Sequence, residues 1–288
     1  MSISIVIVFS QDRKKELTRC LDSIKSSTIS PKETLVINNA NNPELVEEFE
    51  KKYQFVRFIH LPSNTGIFAW NVGFANASGK YILCLDDDCE LRPDTLTGIV
   101  NTLRDLSHRV GALALNMYHP KDNFYPFGDF KKLHGRNVYV FYAGAVVFRK
   151  SIFEKTGYYD EDFFNWFYET DFVVRILNAG YTIQFDKTVS HHYAKVVDDR
   201  PKAIFLTFRN IAWFNVKYFS LFFLPFLMLR NLITLVHLPV KLGLILGIYA
   251  LFGYVVGWLT LFRPLRKRKL AAFSIQKKFL SYYILNKN

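Results

Sequence analysis

The first hundred residues alternate short, β-branched apolar runs with stretches of helical periodicity, and no other feature constrains the fold as much. Ile3 to Phe9 reads as a strand, and Asp12 to Ile24 as a helix with Leu17, Cys20, Leu21 and Ile24 on one face. Thr34 to Ile37 is a second strand ending in Asn38 and Asn39; Pro43 to Tyr53 reads as a helix with proline in its first turn. Val56 to Leu61 is a third strand, followed by a turn at Pro62, Asn64 and Gly66 and a helix over 67–77. A fourth apolar run, Ile82 to Leu85, precedes a helix that starts at Pro93 and reaches Leu106. Such alternation demands parallel pairing with right-handed crossovers, so the strand ends collect on one edge of an α/β sheet. That edge gathers Ser10, Asn38, Asn39 and the acids after the fourth strand.

Those acids are Asp86, Asp87 and Asp88, in YILCLDDDCEL. Three adjacent carboxylates repel one another unless a positive charge sits among them, and the carboxyl edge of an open α/β sheet is where ligands bind. A divalent cation meets both requirements. On an extended chain Asp86 and Asp88 point to the same side and can share one ion, while Asp87 faces away.

Beyond residue 110 the pattern changes. A strand covers 110–117, a loop 118–137, and VYVFYAGAVVF at 138–148 reads as one long strand interrupted by Gly144. A short helix over 150–155 leads to Gly157. Glu169 to Ala179 is helical, stopped by Gly180, and Thr182 to Phe185 is a last short strand before SHHY.

Charge divides the chain unevenly. Residues 1–194 hold 22 Lys+Arg against 23 Asp+Glu, whereas 195–288 hold 15 against 2, so the net +12 comes from the rear. A neutral front with a basic, apolar rear points to a catalytic module held at an anionic membrane surface rather than to a nucleic-acid binder. The three cysteines form no metal-type pair and fit a reducing, cytoplasmic setting; MSISIVIVFSQD lacks the basic start of a signal peptide.

Five ordered motifs carry a resemblance: SNTGIFAWNVGFANASGKYILCLDDD, AGAVVFRK, TGYYDEDFFNWFYETDFVVRILNAGY, HHY and FRNIAWFNVKYF. Over about residues 3–215 the chain resembles the family-2 glycosyltransferases of GT-A fold, in the branch of rhamnosyl- and galactofuranosyltransferases. The resemblance implies an α/β, Rossmann-like nucleotide-sugar-binding domain with a mixed central sheet. It also implies inverting, metal-dependent transfer of a sugar from a nucleotide-diphosphate donor (UDP- or dTDP-sugar) to a glycan or lipid-linked glycan in cell-surface polysaccharide synthesis. Asp86 and Asp88 match the acids that hold the divalent cation, Mn or Mg, and the diphosphate. Glu169 matches the general base, with Asp171 as the second choice; a carboxylate near the acceptor hydroxyl takes its proton as the new bond forms. His191 stands where related enzymes complete the metal site, and His192 would point the other way on an extended chain. Ser10, Asp12, Asn38, Asn39, Asn64, Gly66, Asn71, Asp86 and Asp87 are the expected nucleotide-sugar contacts. Asn38 departs from the family's usual Asp, which bears on the identity of the nucleotide. The rings Phe163, Phe164, Trp166, Phe167 and Tyr168 beside the expected base offer a stacking surface for an acceptor sugar.

The chain accordingly divides into a catalytic domain, 1–215, and a membrane-associating helical region, 216–288. Leu242 to Phe262 is 21 residues without a charge, but four glycines interrupt it and RPLRKRK follows. The reading is of interfacial helices with the basic cluster on lipid headgroups, at the cytoplasmic face of the cell membrane. A membrane hairpin, a buried helical domain and a homo-oligomer interface are the other options. Two further function classes are a nucleotidyltransferase, against which SQDRKKEL lacks a glycine-rich phosphate loop, and a non-catalytic membrane partner that retains the fold.

Overall fold

The computed structural model describes residues 1–10, 13–40, 42–126, 133–193 and 200–285. The chain divides into two compact units, the first being Met1–Glu161 with Ala179–Val196 and the second Asp162–Asn178 with Val197–Asn288.

The first unit is built on the expected alternation. Strands β1 (Ile3–Phe9), β2 (Glu33–Asn39), β3 (Val56–Leu61) and β4 (Tyr81–Asp86) alternate with helices α1 (Lys14–Lys25), α2 (Pro43–Lys52) and α3 (Phe68–Asn76). These four strands pair in parallel. Strand periodicity then sorts their side chains. Ile3, Ile5, Ile7 and Phe9 of β1 share one buried cluster with Leu83 and Leu85 of β4 and with Leu17, Leu21, Val46 and Phe49 of α1 and α2. Phe74 of α3 instead stacks on Phe153 and meets Phe148 edge to face. After β4 come β5 (Cys89–Leu91), α4 (Thr95–Arg104), β6 (Val110–Tyr118), β7 (Asn137–Val138), β8 (Val146–Arg149), α5 (Ile152–Thr156) and β9 (Thr182–His192). The sheet runs β3-β2-β1-β4-β8-β6-β9-β5, with β7 on β9. β8 lies antiparallel to both β4 and β6, which makes the sheet mixed, as the resemblance implied.

Two elements differ from expectation. The long strand over 138–148 is instead β7, a helical turn at Ala143–Ala145 and β8. The turn brings Gly144 so close to Asp86 that a Cβ there would lie 2.5 Å from Asp86 Oδ2. The short strand at 182–185 continues to His192, because its second half has partners on both sides: β6 in parallel and β5 antiparallel.

The second unit is helical: α6 (Tyr168–Asn178), α7 (Pro201–Tyr218), α8 (Leu224–Leu242), α9 (Leu244–Leu259), α10 (Phe262–Arg266) and α11 (Phe273–Leu285). The units therefore part differently from the expected 1–215 and 216–288, and the reason is local. α7 runs unbroken through residue 215, and its side chains bind the 162–178 segment: Asn210 donates to the Phe163 carbonyl, while Lys217 and Tyr218 donate to Asp171. The uncharged stretch 242–262 is cut by Gly243, at φ 94°, and ends as a helix at Leu259. Among the described residues no helix is long and apolar enough to cross a membrane.

Candidate active site

Parallel pairing carries the ends of β1, β2 and β4 to one edge, and the acids after β4 stand there. Asp86 is half-buried; Asp87 and Asp88 are buried. Burial of adjacent carboxylates requires compensation, and two side chains provide it. Arg13 places Nη2 2.5 Å from Asp87 Oδ1 and donates from Nη1 to Asp88 Oδ2 at 2.8 Å. From the other side His192 Nε2 lies 3.3 Å from Asp86 Oδ2 and 3.2 Å from Asp88 Oδ1.

Asp86 ends β4 and Asp87 and Asp88 form the turn into β5, so the turn rather than an extended strand orients the three acids. Asp86 and Asp88 meet one imidazole nitrogen, while Asp87 turns away to Arg13 and to the Ser10 N–H, 3.3 Å from its Oδ2. Asp87, expected among the nucleotide-sugar contacts, is held here by Arg13 and by the Ser10 N–H. The place expected for His191 is corrected by the strand register. β9 pairs with β5 so that Cys89 faces His192 and Glu90 faces His191. This parity sends His192 to the carboxylates and turns His191 toward the Tyr118 ring, with centroids 5.5 Å apart.

Protonation follows from these contacts. Burial lowers the pKa of His192, but Asp86 and Asp88 outweigh it and push the imidazole up to about 10. Burial pushes Asp87 up to about 8 against the pull of Arg13. In Asp88 the His192 and Arg13 charges overcome burial and lower the pKa.

The ligand atoms of Asp86, Asp88, Cys89 and His192 all lie within 4.8 Å of one another. Asp88 Oδ1 is buried, and its nearest cationic atom is His192 Nε2 at 3.2 Å, outside good hydrogen-bond geometry. Two carboxylates and an imidazole form a donor set suited to manganese or magnesium, and an ion there would satisfy that oxygen. Cys89 contributes less: its thiol donates to the Gly144 carbonyl at 3.2 Å, and burial beside two acids pushes its pKa well above the ordinary range.

At the ends of β2 and β3 a cavity of about 480 Å³ is lined by Asn38, Ala40, Pro43, Glu50, His60 and Pro62, among others. Asn38 Nδ2 lies 3.2 Å from His60 Nδ1, and His60 Nε2 lies 3.0 Å from Glu50. Of the other expected nucleotide-sugar contacts, Asn39, Asn64 and Gly66 close the turn before α3. Thr65 N–H donates to Asn39 Oδ1 at 2.9 Å, and Gly66 N–H to Asn64 Oδ1 at 2.9 Å. Asn71 is buried with both ends of its amide on Tyr159, as donor to its carbonyl and acceptor from its N–H. Asp12 lies outside the described residues.

The second unit holds the expected base. Glu169 is half-buried in the first turn of α6. Asp171, the second choice, is fully buried and takes Lys217 Nζ and Tyr218 OH at 2.6 Å each and Arg175 Nε at 2.8 Å. Those three donors occupy both oxygens and anchor α6 to α7. Just before Glu169, Phe164, Trp166 and Phe167 adopt left-handed φ of 60°, 55° and 65°. Each costs roughly 1–2 kcal/mol in an L-residue. Asn210 holds this run, donating Nδ2 to the carbonyls of Phe163, Asn165 and Trp166 at 3.1, 2.7 and 2.9 Å. Of the ring series, Phe163 and Tyr168 are buried, while Phe164, Trp166 and Phe167 are half-buried.

Comparison with known proteins agrees with this architecture. The model of Glycosyl transferase family 2 matches residues 4–172, more than half of the chain, and the chain belongs to that family. It is 26% identical over 186 residues to the uncharacterized glycosyltransferase YwdF of Bacillus subtilis (strain 168), covering 61% of this chain and 68% of that one. Its fold is similar to that of S. aureus TarS, with a TM-score of 0.59 at 18% identity, covering 74% of this chain but only 39% of TarS; the TarS 1–349 fragment has been solved with UDP-GlcNAc. It is also similar to the mannosyltransferase PcManGT of Pyrobaculum calidifontis in complex with GDP-Man and Mn2+, with a TM-score of 0.60 at 15% identity over 98% of this chain and 84% of that one.

Proposed function

We propose that this member of glycosyl transferase family 2 moves a sugar, with inversion, from a nucleoside-diphosphate donor to a hydroxyl of a glycan or lipid-linked glycan in cell-surface polysaccharide synthesis. The observation that carries the reading is the convergence of Asp86, Asp88 and His192 at the carboxyl edge of the parallel strands. These three residues hold a divalent cation, manganese or magnesium, which when bound offsets the charge of the leaving diphosphate. The solved relatives with GDP-Man and Mn2+ and with UDP-GlcNAc support the same classes of donor and metal here.

The chain's own residues divide the remaining work. Asn38 lines the cavity at the ends of β2 and β3, with His60 against its amide, and this cavity takes the nucleobase. Asn can accept from a ring N–H through Oδ1 and donate through Nδ2, which suits the uracil or thymine of a UDP- or dTDP-sugar. Arg13 holds Asp87 and Asp88 in place, so the acidic turn keeps one geometry. Glu169 takes the proton of the acceptor hydroxyl as the glycosidic bond forms. The left-handed run 164–167, clamped by Asn210, sets the position of that carboxylate.

The test is donor cleavage by the full chain across UDP-, dTDP- and GDP-sugars, with manganese or magnesium, for wild type and Asp88→Ala. Metal-dependent nucleotide release from one donor, lost in Asp88→Ala, supports the reading. Absence of both release and metal-dependent nucleotide binding overturns it.

A further inference from the structure

In the second unit, α8 and α9 are packed on one side only. Two glycines bring the inner side of α9 against α7: a Cβ on Gly253 would strike the Phe205 carbonyl, and one on Gly257 would lie 2.7 Å from the Arg209 carbonyl. These glycines let α9 rest on the backbone of α7. Around them Ile204, Phe208, Ala212, Leu235, Ala250 and Tyr254 fill a small core. With the inner side settled, the bulky apolar side chains face outward. On α8 these include Leu229, Ile233 and Val236, and on α9 Ile248, Phe252 and Val255, which are 43–72% exposed. On each helix the spacing is four and then three residues, a continuous stripe. Exposed apolar surface of this extent marks an interaction site.

Charge identifies what covers it. From Arg200 to Asn288 there are 14 Lys and Arg and no Asp or Glu. Lys241 is exposed in the last turn of α8, and Arg263, Arg266 and Lys269 are exposed just beyond α9. A second copy of the chain would bring the same positive charge to the contact and nothing to neutralise it. A lipid leaflet with anionic headgroups offers both an apolar layer and the opposite charge. The 19 residues of α8 and the 16 of α9 extend about 28 and 24 Å, and among the described residues neither helix is both long and apolar enough to cross a membrane, which favours helices lying in the plane.

We propose that α8 and α9 lie in the plane of an anionic lipid leaflet, their outer stripes among the acyl chains and the basic residues on the headgroups. The assay is flotation of the purified full chain with vesicles of phosphatidylcholine plus phosphatidylglycerol, and with vesicles of phosphatidylcholine alone. Wild type floats with the anionic vesicles. Ile233→Glu with Ile248→Glu, changes at exposed positions that leave the thermal midpoint in place, abolishes flotation. Arg263→Gln, Arg266→Gln and Lys269→Gln together weaken binding roughly a hundredfold, from about a fivefold loss per headgroup contact. Orientation is read from Lys241→Cys with a membrane-impermeant maleimide, since the three native cysteines are buried. Labelling on bound vesicles fits in-plane helices, whereas protection means a hairpin has crossed and overturns the orientation. No flotation of wild type, or a discrete dimer that Ile233→Glu with Ile248→Glu dissociates in place of vesicle binding, overturns the proposal. None of these readouts depends on sugar transfer.

Discussion

Gly144→Ala is expected to disable the metal site without unfolding the protein. Gly144 is not in the left-handed region, so alanine meets no backbone penalty there. The cost is steric: the added Cβ would lie 2.5 Å from Asp86 Oδ2, 3.0 Å from its Cγ and 3.1 Å from Cys89 Sγ. Ordinary contact begins near 3.4 Å, so the carboxylate must retreat by about 0.9 Å. The oxygen that moves is the one 3.3 Å from His192 Nε2, and the ligand set spreads with it. Displacing a ligand's support costs typically 10–100-fold in metal affinity, or about 1.4–2.8 kcal/mol. Titration calorimetry with Mn2+ on wild type and Gly144→Ala measures the loss, and thermal melts establish that the fold survives. A manganese affinity within twofold of wild type, in a folded variant, would refute the assignment of Asp86 as a ligand.

Three further outcomes are expected. Metal binding must displace the proton that Asp86 and Asp88 keep on His192 up to about pH 10, so manganese affinity rises about tenfold per pH unit below that value, and His192→Asn flattens the slope. Without metal, the folded state binds protons more tightly than the unfolded chain at two groups. His192 is raised from 6.5 to about 10, and its stabilisation, complete below pH 6.5, fades as pH climbs to about 10; Asp87, raised from 3.8 to about 8, erodes stability between those values. Melts in EDTA should therefore fall from neutral to alkaline pH, and a rising midpoint would contradict this. The two acids of ETD separate by assay: Asp171→Asn leaves Lys217 buried without its charge partner and costs about 3–5 kcal/mol of stability, whereas Glu169→Gln keeps the melt and lowers kcat by about 10²–10⁴-fold.

The first half of the fold was legible because its signals are local. β1 and β3 span the residues expected, and α1 to α4 fall within a few residues of theirs, since apolar periodicity and proline or glycine punctuation act over one or two turns. From residue 110 onward the elements depend on distant partners. Residues 138–148 look like one strand by composition, yet the contact between Gly144 and Asp86 forces a turn. The tail was legible only as apolar and basic. The glycines that appeared to weaken a helix are the residues that seat α9 against α7, a fact that requires knowing where α7 lies.

The candidate site shows the same limit in one pair of residues. Alternation along a strand states that His191 and His192 face opposite ways; it does not state which faces the acids, because parity is fixed by register against another strand. Here the register is Cys89 with His192, set where β5 leaves the acidic turn, so the turn that carries Asp86 and Asp88 also selects the histidine that meets them. The same reasoning explains why Asp171 looked catalytic. An acid two residues from the expected base reads alike in sequence whether it faces solvent or a buried lysine, and Lys217 is 46 residues away along the chain. A Lys at that distance carries no periodic signal. Lys217→Met leaves Asp171 with Arg175 and Tyr218, whereas Asp171→Asn strands the buried Lys217, so adding Lys217→Met to Asp171→Asn should recover part of the stability that Asp171→Asn loses. A double variant less stable than either single one, measured by thermal melts, would show that the two side chains do not act as a pair.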